Sequence, residues 1–437
     1  MTKNLKIGLI VLFIFQVIVA ANFELAHDEA YYWLFSKKLA WGYFDHPPMV
    51  ALIIKLFSIF PVSELSVRFG FILLQFVTIF LLLDLVPKEA RLKALLLFLS
   101  FPLASFVGLL ALPDMPLLFM SALYCWMLRK FLERESFVIA GLMGITIMAL
   151  LLSKYHGILL IFFTLMAIPG LFKRKDFYFV VIMTMLLCLP HLQWQMDAEF
   201  ITLKYHLLER PKSTFSFMRS LEFIGIQVLL GGAFLGPIVW WILLKHKSQS
   251  QFERAMKFIS IGSVIFFLVS SFSKKVEANW TVFLAVPMIV LVADLKLWDR
   301  RWARNFLVIT ASFILLARIL FILPSDAPGP KRLKEFKGWK KWSQEIVSSC
   351  QAPLLANTYQ MASKLSFYLD LPIHSQNFHS RLNQFTLWDK DPSYYQGEEV
   401  CYLSDNRQFK GLRVTTPDGK DLYLVPKLSL REFSRAK

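Results

Sequence analysis

The stretch AHDEAYYWLFSKKLAWGYFDHPP, residues Ala26–Pro48, lies between apolar segments yet carries acids, a histidine and many aromatic side chains. The apolar run Ile7–Ala21 precedes it, and long apolar runs follow. Charged groups beside lipid are costly unless they are hydrated, paired or functional. The stretch therefore predicts a functional loop at a membrane surface rather than a simple connection.

The composition describes a chain whose main solvent is lipid. Of the 437 residues, 56% are hydrophobic and only 18% are charged. A hydrocarbon core of about 30 Å is crossed by about 20 helical residues, and lipid offers no partners to an open backbone. We therefore predict an all-α polytopic membrane protein.

About eleven apolar runs approach spanning length. The predicted spans are Ile7–Ala21, Val67–Val86, Ala94–Leu110, Pro116–Phe131, Phe137–Leu152, Ile158–Leu171, Phe177–Gln193, Leu221–Leu244, Phe258–Phe272, Trp280–Ala293 and Phe306–Leu323. The shorter run Met49–Phe60 predicts an interfacial or re-entrant helix. The first run has no Ala-x-Ala cleavage signal, and we interpret it as a retained span.

Basic residues flanking the spans predict the orientation. With a cytoplasmic N-terminus, every predicted inner loop is rich in Lys and Arg, as the positive-inside rule requires. Outer loops also carry the cations Lys204, Arg210, Lys212, Arg219, Lys274 and Lys275. These cations, and the net charge of +17, fit either anionic lipid headgroups or a phosphorylated substrate. Nucleic acid is not an expected partner for a chain so largely within a membrane.

The chain divides by composition after Leu323. Residues 1–323 form the predicted transmembrane module, with a large first outer loop over residues 22–66. Residues 324–437 are polar enough to form a small soluble α/β domain on the outer side. Cys350 and Cys401 both fall in this tail, and the sequence leaves open whether they form a disulfide.

Ionisable residues gather in the predicted outer loops. Asp28 and Glu29 follow the first span, and Asp45 and His46 stand in a turn fixed by two prolines. Two further short outer turns carry Asp114 and the group Lys154, Tyr155 and His156. A carboxylate at this depth normally has a partner, and Lys154 can serve either Asp114 or a substrate phosphate. Each motif also has a purely structural interpretation as a cap, a turn or an ion pair.

Four stretches together resemble a known enzyme superfamily. They are HDEAYYWLFSKKLAWGYFDHPPMVALI from His27, LPDMPLLF from Leu112, SKYHGILL from Ser153 and WQMDAEFITLKYHLLERP from Trp194. They resemble bacterial glycosyltransferases of the protein O-mannosyltransferase superfamily (glycosyltransferase families 39 and 83), which includes the aminoarabinose transferases that modify lipid A. The resemblance implies a GT-C helical bundle in the bacterial inner membrane. It also implies an active site at the periplasmic boundary and a sugar donor carried on polyprenyl phosphate.

The resemblance also implies roles for individual residues. Asp28, with its neighbour Glu29, matches the catalytic acid, and Asp114 matches a second acidic position. His46 stands where related lipid A enzymes carry a lysine, so donor-phosphate binding is expected to depend more on Lys154. The other expected substrate-binding residues are Asp45, Tyr155, His156, Arg210 and Lys274. The resemblance implies that no nucleotide sugar is needed and names no certain cofactor, and a divalent cation near the acids is left open.

The sequence leaves several functions in competition. The first is an inverting transferase in which Asp28 is the general base, acting on lipid A, lipopolysaccharide or another glycolipid. A protein O-mannosyltransferase-like enzyme, with a protein acceptor, is the second. The third is a transporter or flippase of lipid-linked sugars, which predicts broken helices in both halves and polar residues deep within spans. The last is a non-catalytic scaffold.

Overall fold

The fold is a helical bundle that carries a small mixed sheet near the C-terminus. The computed structural model describes residues 2–205, 215–323, 331–376, 382–388, 399–406, 409 and 411–429. The α-helices are α1 Lys3–Ala21, α2 His27–Lys37, α3 Met49–Leu56, α4 Glu64–Leu85, α5 Arg91–Ser100, α6 Pro102–Phe106, α7 Asp114–Glu133, α8 Phe137–Ser153, α9 Ile158–Ala167, α10 Lys175–Asp197, α11 Ile201–Lys204, α12 Phe217–Leu230, α13 Gly236–Lys245, α14 Gln251–Ser271, α15 Ala285–Val292, α16 Arg301–Ala317, α17 Trp339–Ser348, α18 Tyr359–Leu369 and α19 Gln384–Trp388. The strands are β1 Leu354–Ala356, β2 His374–Ser375, β3 Glu399–Ser404, β4 Leu412–Thr415 and β5 Asp421–Ser429.

Several helices are long and apolar enough to cross a membrane. By length and composition, α1, α4, α7, α10 and the stretch Arg301–Phe321 each meet that requirement. Two further candidates consist of bent helix pairs, and three shorter apolar helices are Phe137–Ser153, Tyr155–Ala167 and Ala278–Val292. The described helices thus include several of membrane-spanning character, as the composition predicts.

Two predicted straight spans are broken. The run Ala94–Leu110 bends by 90° after α5, and the run Leu221–Leu244 bends by 110° between α12 and α13. The first bend follows from Pro102, because the residue before a proline is pushed out of the helical region. The second bend passes through Gly232, whose φ of +127° is a conformation that favours glycine.

The bundle has a charged end opposite α2. Asp84, near the end of α4, contacts Arg91 and Arg129, and Lys93 contacts Asp299. These are residues of the basic loops that the sequence places on one side of the membrane. Arg68 lies at the other end of α4, about 24 Å away at 1.5 Å per residue. The basic loops and the α2 segment therefore lie at opposite ends of the bundle, and we call the α2 end the site end.

A buried polar cluster lies within the bundle. Arg318 Nη1 donates to Gln16 Oε1 at 3.3 Å, and Nη2 donates to Ser105 Oγ at 2.7 Å. Gln16 also donates to Gln75, whose amide donates to the carbonyl of Ala104 at 2.7 Å. The cluster joins α1, α4, α6 and the end of the last spanning helix. The cluster donates hydrogen bonds to the carbonyls of Ala104 and Ser105, near the bend at Pro102, where helical hydrogen bonding is interrupted.

The C-terminal part forms a five-stranded sheet in the order β2-β1-β3-β5-β4. β1 pairs in parallel with β2 and β3, whereas β5 is antiparallel to β3 and β4. A disulfide joins Cys350 to Cys401, the pairing that the sequence left open. Helix α18 packs on α2, so this part of the chain covers the loop that the sequence singled out.

The first loop is an ordered and largely buried part of the core. Tyr31, Phe35, Tyr43 and Phe44 are almost fully buried, and the rings of Phe35 and Tyr43 stack at 4.1 Å. The predicted interfacial helix forms as α3, although it ends at Leu56 rather than Phe60. Trp41, in the same stretch, is exposed. The loop is therefore held by protein rather than by lipid.

Candidate active site

Glu29, in the first turn of α2, forms a buried ion pair with Arg68 of α4. Arg68 Nε and Nη2 donate to the two oxygens of Glu29 at 2.8 and 2.7 Å, and both side chains are fully buried. The same carboxylate accepts the backbone N–H groups of Ala26 and Ala111, at 2.8 and 2.9 Å. The hydrogen bonds that the Glu29 carboxylate accepts therefore come from groups inside the protein.

Arg68 was missed by the sequence reasoning, and it organises the start of α2. Its guanidinium also donates to the carbonyls of Ala20, Phe23 and Glu24, at 2.8 to 2.9 Å. These carbonyls lie between the end of α1 and the start of α2. The available signal was an arginine inside the predicted span Val67–Val86, since ionisable residues within spans are rare and usually paired.

Asp28 differs from its neighbour in exposure. Its side chain is exposed, whereas Glu29 is fully buried. Both carboxylates lie in the first turn of α2, where the helix dipole stabilises negative charge. The paired acids of the sequence are thus divided, because one faces the protein interior and the other faces outward.

Hydrogen bonds join α2 to the other two acidic segments. Glu29 accepts the N–H of Ala111, three residues before Asp114, and the Tyr31 hydroxyl donates to Asp45. Burial raises the pKa of the Tyr32 hydroxyl well above its usual value, and the charges of Asp28, Asp45 and Asp114 raise that pKa further. The segments that carry Asp28, Asp45 and Asp114 are therefore in contact with one another.

Asp114 and Lys154 form the ion pair that the sequence suggested. Lys154 Nζ donates to Asp114 Oδ1 at 2.8 Å, and Asn279 Nδ2 donates to Oδ2 at 3.0 Å. Asp114 begins α7, and Lys154 follows α8 in an extended conformation. Only 3% of Asp114 and 4% of Lys154 is exposed, so the pair is shielded from water.

The turn at Asp45 and His46 is fixed from several sides. Asp45 is buried and accepts from the Tyr31 hydroxyl at 2.9 Å, while that hydroxyl accepts from the backbone N–H of Gln384 at 2.7 Å. The His46 ring lies edge-on to Tyr32, with 5.6 Å between centroids. The proline-rich turn therefore places His46 next to Tyr32 of α2.

The remaining predicted site residues lie around the Lys154 turn or beyond it. The Tyr155 hydroxyl accepts from Gln195 at 2.7 Å and lies 3.2 Å from His191 Nε2. The His156 ring lies 4.9 Å from that of Trp280, the residue after Asn279. Lys274 is half-buried just past the end of α14. Arg210 lies outside the described residues.

No metal-binding cluster is found in the part of the chain that the structure describes. There, no group of three or more His, Cys, Asp or Glu side chains is arranged to hold an ion.

Comparisons with known proteins agree on one class. The dolichyl-phosphate-mannose-protein mannosyltransferase family matches residues 45–194. Lipid A galacturonosyltransferase RgtD from Rhizobium johnstonii is 22% identical over 365 residues, which cover 76% of this chain and 74% of that protein. ArnT from Cupriavidus metallidurans has a similar structure in the apo state, with a TM-score of 0.67 and 13% identity. Its structure bound to undecaprenyl phosphate gives a TM-score of 0.68 and 14% identity, and each covers 96% of this chain and 98% of ArnT.

The fold and these similarities define an integral-membrane glycosyltransferase with the GT-C architecture. Within that class, the sequence is similar to the dolichyl-phosphate-mannose-protein mannosyltransferase family over residues 45–194, and the fold is that of ArnT.

We predict that removing one partner of the Glu29–Arg68 pair strongly destabilises the fold. Arg68→Leu leaves a buried carboxylate without its counter-ion and should lower the free energy of unfolding by about 3–5 kcal/mol. The matched control is Arg91→Gln, which removes a partly exposed pair at the other end of α4 and should cost about 1 kcal/mol or less. Denaturant unfolding of the purified protein in detergent measures both values. Equal losses in the two variants would contradict the assignment.

Proposed function

We propose that the protein transfers a sugar from a polyprenyl-phosphate carrier to a hydroxyl of an envelope glycolipid, with Asp28 as the general base. The observation that carries the proposal is the link between the α2 turn of exposed Asp28 and the buried Asp114–Lys154 pair, since Glu29 accepts the N–H of Ala111, three residues before Asp114. The donor class is supported by the undecaprenyl phosphate bound to the structurally similar ArnT. The acceptor class is supported by the similarity to a lipid A galacturonosyltransferase.

The proposed reaction is a single inverting displacement. The acceptor hydroxyl gives its proton to the Asp28 carboxylate while its oxygen bonds to the anomeric carbon of the donor sugar. The bond from that carbon to the carrier phosphate breaks, and its electron pair leaves with the polyprenyl phosphate. A positioned general base typically contributes a factor of about 10² to 10⁴ in rate. Exposure of Asp28 lets a substrate hydroxyl reach it.

Lys154 is the proposed cation for the departing phosphate. Its ammonium has three N–H bonds, and a single one is used by Asp114 in the described region. A shielded cation stabilises a developing charge more strongly than one in water. Asn279 donates to Asp114, which in turn holds Lys154 in place, and the His46 ring packs edge-on against Tyr32. Arg210 and Lys274 remain proposed additional contacts to the donor.

Glu29 takes a different proposed role from Asp28. Its oxygens are occupied by Arg68 and two backbone N–H groups, which leaves it poorly placed to accept a substrate proton. We assign it the role of a positioning residue that fixes the first turn of α2. Asp45 acts similarly through Tyr31, and Tyr155 and His156 support the Lys154 turn.

The proposed arrangement in the membrane follows the sequence prediction. Each of the eleven predicted spans falls on a described helix or bent helix pair, and we propose that all eleven cross the bilayer. The basic end of the bundle would then be cytoplasmic, and the site end would be periplasmic. Residues 324–437 would form the periplasmic domain, and the protein would reside in a bacterial inner membrane.

The transporter hypothesis shares some features with the structure. It predicted broken helices in both halves and polar residues deep in the bundle, and both are present. However, the buried polar cluster is bonded within the protein, and the relatives are transferases. Transfer therefore accounts for more of the observations, including an exposed carboxylate at Asp28 and a shielded cation at Lys154.

We predict that Asp28→Asn lowers the transfer rate at least about 100-fold, because the amide cannot take the acceptor proton. The protein should fold as before, since Asp28 is exposed. Mass spectrometry of envelope lipids from cells carrying either form measures the product. Glu64→Gln, which changes another acid at the site end, is the matched control and should leave transfer intact. Transfer retained by Asp28→Asn would refute the role of Asp28.

We predict a separate effect for the ion pair. Lys154→Met alone leaves Asp114 buried and unpaired, so the informative variant is the double change Asp114→Asn/Lys154→Met, which removes both charges. Its stability should stay near that of the parent, while undecaprenyl phosphate binding should weaken at least about tenfold. Binding of labelled undecaprenyl phosphate to nanodisc-embedded protein measures the change. Unaltered binding would contradict the phosphate-binding role of Lys154.

A further inference from the structure

A polar cavity lies beside the first residue of α2. Its volume is about 500 Å³, within the range of small-molecule sites. The walls come from the starts of α2, α17 and α18, the end of β3 and the β4–β5 hairpin. The lining residues that matter for the chemistry are His27, Trp339, Asn357, Asp405, Asp418 and Lys420.

Two side chains in this wall have buried polar atoms without hydrogen-bond partners in the described residues. Trp339 has no exposed surface, and its indole Nε1 finds no acceptor there. His27 Nδ1 is likewise buried without a partner. Burial, together with Lys364 and Lys420, lowers the pKa of His27 to about 3, so the ring is neutral at ordinary pH. Unsatisfied buried groups cost about 1–3 kcal/mol each, and a bound ligand would satisfy them.

The position of Trp339 is strongly determined. Glu24 accepts the backbone N–H groups of Trp339 and Lys340, at 2.6 and 3.1 Å, and so caps α17. The Lys364 ammonium lies 4.1 Å from the centre of the Trp339 ring, and the His27 ring lies edge-on at 4.9 Å. The indole is therefore held rigidly at the cavity wall, which is the preorganisation that binding sites require.

The lining chemistry favours a neutral polyhydroxylated ligand. Asp405, Asp418 and Asp421 contribute carboxylates, against the single ammonium of Lys420 among the cavity-lining residues that the structure describes. Carboxylate and amide oxygens accept hydrogen bonds from hydroxyls, while the indole N–H donates one. Asp418 pairs with Lys420 and Asp421 pairs with Arg413, so most of the lining charge is balanced within the protein, which favours a neutral ligand over a phosphate. The residues therefore fit the hydroxyl groups of an unphosphorylated saccharide.

The cavity is joined to the proposed active site through α2 and α18. His27 lines the cavity, and Asp28 follows it in the same helical turn. Thr358 and Gln360 also line the cavity, while Tyr359 between them packs against Tyr31 of α2 at 4.6 Å. We propose that this cavity binds an unphosphorylated saccharide portion of the acceptor and thereby presents the acceptor hydroxyl to Asp28. That the bound saccharide belongs to the acceptor rests on the proposed function.

The test is a direct binding measurement that does not depend on transfer. Full-length protein in nanodiscs is equilibrated by dialysis against a radiolabelled lipopolysaccharide oligosaccharide from which acyl chains and phosphates have been removed. Trp339→Phe keeps an aromatic ring but removes the indole N–H, and should raise the Kd about tenfold. The matched control is Trp342→Phe, because Trp342 packs on Trp339 at 5.5 Å but does not line the cavity. Its Kd should equal that of the parent.

Further variants separate this proposal from the proposed function and from misfolding. Asp28→Asn should bind the oligosaccharide like the parent while losing transfer. Asp405→Asn should weaken binding without a change in thermal unfolding. The inference is overturned if the parent does not bind the oligosaccharide or if Trp339→Phe and Trp342→Phe bind it equally. Displacement of the oligosaccharide by inorganic phosphate would also overturn it, because the cavity would then be an anion site.

Discussion

The buried Glu29–Arg68 ion pair is the interaction on which the site depends. It joins α2 to α4 through a bidentate contact and holds the carbonyls at the end of α1. Glu29 also holds the backbone of Ala111, three residues before Asp114. A buried pair is costly to form, since both ions lose their water, and here backbone groups supply the missing hydrogen bonds. The pair thereby fixes Asp28 and Asp114 relative to each other.

The C-terminal part of the chain provides the second constraint on the same loop. Gln384 accepts from the backbone N–H of Phe44 at 2.8 Å, and its own N–H reaches Tyr31. Tyr368 accepts from the N–H of Leu25, while Glu24 caps α17. These bonds join residues more than 300 positions apart. The first loop is thus clamped between the helical bundle and the sheet, and this rigidity suits a site that must align two substrates.

Local patterns in the sequence predicted much of the site. Asp114 and Lys154 stand in short polar turns between apolar runs, so their pairing could be foreseen from the cost of an isolated charge. The bends at Pro102 and Gly232 also had visible signals, although the apolar runs around them suggested straight spans. What could not be predicted depends on distant partners. Nothing near Glu29 in the sequence indicates Arg68 as its partner. Likewise, nothing in the aromatic-rich stretch indicates that Tyr31 bonds to Asp45. The contacts of Gln384 with the first loop depend on the folded tail.

We propose that residues from distant segments jointly hold a lipid-linked sugar at the site end of the bundle. The most direct measurement is an electron cryo-microscopy structure of the protein in nanodiscs with a non-transferable polyprenyl-phosphate sugar analogue. If the proposed roles are correct, the carrier phosphate lies within hydrogen-bonding distance of Lys154 Nζ and the anomeric carbon faces Asp28. A phosphate bound at the basic end of the bundle, or a sugar with Asp28 out of reach, would contradict it.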